Sequence, residues 1–176
     1  MDNRQPQTRK WLPISWKVMV GYGILNIFFA ILVPLQSYFA LPNQPMFVFG
    51  AGDERFTGLS WNQIMALSPE LGRWIVLTMV SMCAMMMGGG ILIVALARNP
   101  YRKGERWAWQ SLALATLVPI GYYLLISPVH WPKGLPFWVL PPGSSGVGAD
   151  LFVAIALIWL YIGLWLPRKE LVGQSK

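Results

Sequence analysis

The sequence predicts an all-α fold, a four-helix transmembrane bundle with both termini on the same, inner side. Three observations predict it. Of the 176 residues, 55% are hydrophobic and only 12% charged, with mean hydropathy +0.48, whereas a soluble domain carries about 25% charge. The apolar residues gather into four uncharged stretches near the roughly 20 residues that a helix needs to cross a bilayer. The basic residues also alternate between the connecting segments, as the positive-inside rule requires.

The first stretch, Val18 to Leu35, is extended toward the interface by Trp16 and Lys17, which predicts a helix over about 16–36. It is longer than the apolar core of a cleaved signal peptide, and Tyr38-Phe39-Ala40 places a bulky residue where a cleavage site wants a small one. The second stretch runs from Trp74 to Ala97, and Ser68-Pro69-Glu70 supplies a cap, a first-turn proline and a first-turn acid. A helix over 69–98 follows. Trp107 to Ile126 predicts a third over 106–127. Leu151 to Leu166, lengthened by Gly148, Ala149 and a capping Asp150, predicts a fourth over 149–167.

Eleven of the fourteen Lys and Arg lie in the amino-terminal segment, the 99–105 turn with its flanks, and the carboxy-terminal tail. Those parts are therefore assigned to the cytoplasmic side, and the loops 37–68 and 128–148 to the outer side. The formal charge of +7 then belongs to a lipid-facing surface, which argues for membrane lipids as a partner and against nucleic acid. The ten Trp agree: most flank a predicted boundary, as in an interfacial aromatic belt.

The outer loops are long enough to hold structure of their own. Residues 41–50 read as extended and apolar. Ser60-Trp61-Asn62-Gln63 has the form of a capping box and predicts a short amphipathic or interfacial helix over 61–67. The second loop contains five prolines between Ser127 and Asp150, which excludes regular helix. Its apolar Phe137 and Trp138 are expected to cap the bundle or to touch a neighbouring subunit.

Chemistry is sparse. One His and one Cys exclude a bis-histidine haem or a thiol–disulfide couple within the chain. Cys83 reads as a small buried residue among methionines. His130 is the single candidate for cofactor binding, as one axial bond to a pigment or haem shared with a partner, although an interfacial loop histidine explains it as well. No cofactor or metal is expected of the chain itself. None of the four apolar cores contains an ionisable Asp, Glu, Lys, Arg or His, which removes the usual proton-relay mechanism. Asn26, Ala84 and Gly88 are assigned to helix packing, Asn26 by an interhelical hydrogen bond and the other two as a small-xxx-small face. Arg102, Lys103, Arg106 and Trp107, in the Asn99-Pro100-Tyr101-Arg102-Lys103-Gly104-Glu105-Arg106-Trp107-Ala108-Trp109 hairpin, are the candidate contacts for lipid or a partner, together with Phe137 and Trp138.

That hairpin, with Phe56-Thr57-Gly58-Leu59-Ser60-Trp61 and Ser68-Pro69-Glu70-Leu71, resembles a loose group of small bacterial four-helix membrane proteins. They combine an outer F-T-G-x-x-W segment with a basic G-E-R-W-A-W hairpin. The resemblance covers about residues 50–126. It implies architecture and a bacterial cytoplasmic membrane, and it carries over no catalytic residue.

The functional expectation is a non-catalytic accessory or scaffold subunit that packs against other integral membrane subunits. A binder of an apolar molecule (lipid, quinone or pigment) near Asn26, the methionines and Trp159 is the alternative. A membrane enzyme of lipid metabolism is a third reading, which would have to draw on Asp53, Glu54, Glu70, Asp150 or His130.

Overall fold

The computed structural model describes residues 10–126 and 155–172, which are mostly helical with no strand among them. The first helix, α1 (Leu12–Ala40), carries Pro13 in its opening turn, where a missing N–H costs nothing, and stops at Leu41-Pro42. It is longer at both ends than the hydropathy core because the interfacial residues continue the helix.

The segment 41–50 is a series of turns, not the extended stretch expected. Phe49 sits in the left-handed region, with φ 57°, and its carbonyl accepts from the Gln44 side-chain amide. The chain thereby folds Val48 and Phe49 inward onto Trp61 and Ile64. Helix α2 (Ala51–Thr57) follows, an element the hydropathy does not reveal. Asp53 Oδ2 accepts from the Gly50 N–H at 2.9 Å, and Gly58, at φ 74°, closes the helix with its N–H on the Glu54 carbonyl.

Helix α3 (Trp61–Leu67) starts on the capping box read from the sequence: Ser60 Oγ accepts from the Gln63 N–H at 3.3 Å, and Gln63 Oε1 from the Ser60 N–H at 2.7 Å. Helix α4 (Pro69–Leu96) starts on Ser68, whose Oγ accepts from the Leu71 N–H at 3.3 Å.

Helix α4 runs into a π turn, Ala97–Tyr101, that contains Pro100. Proline has no N–H and crowds the carbonyl four residues back, so a wider turn relieves both problems. Gly104, at φ 84°, reverses the chain into α5 (Arg106–Ile126). Residues 155–160 are helical and pass into a second π turn, Tyr161–Trp165; this stretch is α6. A last short helix, α7 (Arg168–Val172), lies in what reads from the sequence as a tail.

Helices α1 and α4 form the main interface. Its closest point is Gly23 against Gly90: a Cβ on either would meet the other's carbonyl oxygen at 2.9 or 2.8 Å. On one side of this crossing, Ala30, Val33 and Cys83 are buried together, with Met86 and Met87 packed around them. On the other lies the largest core, which includes Met19, Ile93, Ala97, Tyr101, Ala108, Leu112 and Leu164. The fold is thus tightest where α1, the two π turns, α5 and α7 converge.

Two helices, Leu12–Ala40 and Pro69–Tyr101, are long and apolar enough to cross a bilayer, by length and composition. Only 22% and 17% of their apolar windows are buried, whereas the core helix of a soluble protein would be mostly covered.

Candidate functional site

Polar contacts concentrate at the end where α1 begins and α7 finishes. Among the described residues this basic end carries Lys10, Lys17, Arg98, Arg102, Lys103, Arg106, Arg168 and Lys169 against two acids, Glu105 and Glu170. The first turn of α1 has no side-chain cap of its own. Its free N–H groups are taken by Glu170 of α7 instead. Oε1 accepts from Lys10 at 3.0 Å and from Trp11 at 2.9 Å, and Oε2 accepts from Leu12 at 3.1 Å. A carboxylate suits a helix start both as an acceptor and as a charge against the helix dipole.

The last turn of α6 has the complementary deficit, surplus carbonyls. In its π register Leu166 donates to the Tyr161 carbonyl at 3.1 Å, and the next residue, Pro167, has no N–H to offer Ile162. Three successive carbonyls are then satisfied by side chains from three elements. Ser15 Oγ of α1 donates to Ile162 at 2.8 Å, the Tyr101 hydroxyl to Gly163, and Trp109 Nε1 of α5 to Leu164 at 2.9 Å. Ser15 and Tyr101 are fully buried. One π turn therefore supplies the donor, Tyr101, to the carbonyl of the other. π turns often mark functional positions; here their visible work is to join four segments through hydrogen bonds that neither water nor lipid need supply.

Around this knot, cations lie over indole rings: Lys10 over Trp11 at 5.4 Å, Arg168 over Trp165 at 5.3 Å, and both Lys17 at 5.8 Å and Arg102 at 5.0 Å over Trp16. Leu12, Pro13, Trp16, Lys17 and Arg102 line a shallow groove of about 380 Å³. Glu105, the other acid of this end, accepts from the indole N–H of Trp107, whose ring is half exposed.

Of the residues singled out in the sequence, Arg102, Lys103, Arg106 and Trp107 fall together at this end, all exposed, with Arg102 turned onto Trp16. Of the three residues assigned to packing, Asn26 lies at the α1–α4 crossing and the other two meet no described helix. Among the described residues Asn26 makes no hydrogen bond between helices; its Nδ2 donates at 2.8 Å to the Tyr22 carbonyl of its own helix, while its Cβ lies beside Gly90. Ala84 and Gly88 are exposed, and no described residue comes within 4 Å of a Cβ placed on Gly88. Helix periodicity explains this: Gly90 lies two residues beyond Gly88, about 200° around the helix, on the face that meets Gly23. Tyr22 and Trp159 meet edge to face at 6.2 Å, so the two rings pack on one another. His130, Phe137 and Trp138 lie outside the described residues.

The residues that organise this end, Glu170, Ser15, Tyr101 and Trp109, escape a reading of hydropathy and motifs. The available signal is Pro100 and Pro167 close to predicted helix ends, because each removes an N–H and leaves a carbonyl to be satisfied from elsewhere. Among the described residues no three His, Cys, Asp or Glu side chains come together as a metal site. Comparison with known proteins finds no match: no family model, no curated protein and no solved structure is similar to this chain.

Proposed function

We propose that the chain is a multi-pass integral membrane protein with four spanning helices, its termini and the 99–105 turn on the cytoplasmic side, and that it works without catalysis as an accessory or scaffold subunit. The observation that carries this reading is how much apolar surface the two long helices leave uncovered. Phe28 is 54% exposed, Leu92 65% and Met85 82%, all within helical spans. In water so large an apolar surface would drive association. In lipid it is a solvated surface, or the contact face of a neighbouring subunit.

Four polar side chains of α1, α4 and α5 fit the lipid reading, while Ser37 of α1 is buried with no partner among the described residues. Asn26, Thr78, Ser81 and Thr116 donate to carbonyls of their own helices, at 2.8, 3.0, 2.9 and 2.9 Å. Each places a donor on its own helix without water, as a hydrocarbon environment favours. The apolar cores of the sequence hold no titratable carboxylate, amine or imidazole, so proton transfer inside the bilayer has no carrier there.

The test is purification from native membranes in mild detergent, with a photo-crosslinking residue placed at Met85. The expected result is an integral membrane protein that co-purifies at fixed stoichiometry and is captured from Met85, while the same residue at buried Ile93 captures nothing. Recovery of a monodisperse homo-oligomer with no companion overturns the scaffold assignment.

A further inference from the structure

Lys17 and Arg102 come from elements far apart in sequence, the second turn of α1 and the residue after the first π turn, yet both approach one indole, Trp16, at 5.8 and 5.0 Å. Their charges are consequently no more than about 11 Å apart. Among the described residues neither pairs with a carboxylate. The two acids of this end are engaged elsewhere, Glu170 by three backbone N–H groups and Glu105 by Trp107. The α1 start is likewise occupied, by Glu170. What remains between Lys17 and Arg102 is a groove with an apolar and aromatic wall, Leu12, Pro13 and Trp16, and two cations that no carboxylate among the described residues compensates.

A strip of α1 continues from Lys17, which lines the groove. From Lys17 the helical spacing leads to Gly21, Ile24, Phe28 and Ile31; a Cβ on Gly21 would meet nothing within 4 Å, and the other three are exposed apolar side chains. Gly21 lies about 6 Å along the axis from Lys17, so the strip offers a notch and then an apolar track.

We propose that this groove binds the headgroup of one anionic phospholipid, with Lys17 and Arg102 on the phosphodiester, the Trp16 ring beside the glycerol region and an acyl chain laid over Gly21, Ile24 and Phe28. Arg102 supplies a forked donor set suited to phosphate oxygens and Lys17 a mobile point charge. The assignment rests on the membrane reading above and adds to it a single lipid of defined charge.

The test uses the full chain in three forms: wild type, K17Q/R102Q, and R98Q/K169Q, which removes the same charge from exposed positions of the same end that have no assigned contact. Each is mixed with phosphatidylcholine vesicles and with vesicles containing phosphatidylglycerol, and the detergent-solubilised protein is examined by native mass spectrometry with the two lipids in competition. Wild type is expected to retain one phosphatidylglycerol about tenfold to thirtyfold over phosphatidylcholine, the scale set by two basic side chains at an anionic surface. K17Q/R102Q should fall to near parity with its circular dichroism unchanged, and R98Q/K169Q should keep the preference.

Equal loss in both variants means diffuse attraction and overturns the site. Displacement of the lipid by millimolar inorganic phosphate assigns the groove to a soluble anion and overturns the lipid. A chain that inserts into both vesicle types without preference refutes only the site, while one that associates with neither refutes the membrane reading itself.

Discussion

Glu170 caps Trp11: its carboxylate accepts the backbone N–H of Trp11 at 2.9 Å and reaches Lys10 and Leu12 as well. The two residues are 159 positions apart in the chain. The start of the first long helix is thus held by a five-residue helix at the opposite end of the sequence.

Removal of that cap should loosen the whole basic end. Glu170→Ala is expected to cost about 2 kcal/mol, on the scale of losing a good helix cap with charge-assisted bonds. Glu170→Gln, which keeps one acceptor oxygen, should cost about half. Glu70→Ala breaks an exposed pair with Arg73 and should change stability by less than about 0.5 kcal/mol. Thermal unfolding in detergent, followed by circular dichroism, compares the three.

Tyr101→Phe removes only a hydroxyl, but it leaves the Gly163 carbonyl without its donor in a buried setting. A loss of about 1–3 kcal/mol is expected. Trp109→Phe does the same to the Leu164 carbonyl. Because both donors fasten one turn of α6, the double variant should cost measurably less than the two single losses added together. A double-mutant cycle reads this directly.

The glycine crossing predicts a sharp contrast within one helix. In Gly23→Ala and Gly90→Ala the new methyl presses on backbone oxygen at under 3 Å, so α1 and α4 must separate, at about 1–3 kcal/mol. Gly88→Ala places its methyl in open space and should be neutral or stabilising by up to about 1 kcal/mol, since alanine favours helix. Gly163→Ala meets the sulfur of Met19, a flexible side chain that can turn aside, and should fall between the two.

Trp61 is buried, and its indole donates at 3.0 Å to the carbonyl of Pro42, the residue after α1 turns away. Trp61→Phe is expected to cost about 1–2 kcal/mol through the lost bond and the smaller ring. The effect should be local. Hydrogen exchange should quicken across 41–67 while the segment 97–112 stays protected.

Local features were legible in advance. The Ser60–Gln63 capping box, the Ser68-Pro69-Glu70 start of α4, the Gly104 reversal and the two long apolar helices all appear where the sequence places them, because each depends on residues within one or two turns of one another. The acidic helix α2 was hidden by brevity, and the 41–50 turns by apolar residues that suit a strand as well as a folded loop.

Which faces meet was not legible. A soluble helix advertises its buried side by being polar on the other, whereas α1 and α4 are apolar on nearly every side. Nothing in their periodicity separates Gly90, which touches Gly23, from Gly88, which touches nothing described. The sequence by itself determined that the chain makes long apolar helices with basic ends. Only the tertiary structure decided that Glu170 caps α1 and that Tyr101 serves Gly163, because unpaired backbone groups at helix ends take whichever partner the packing brings near, whatever its distance along the chain.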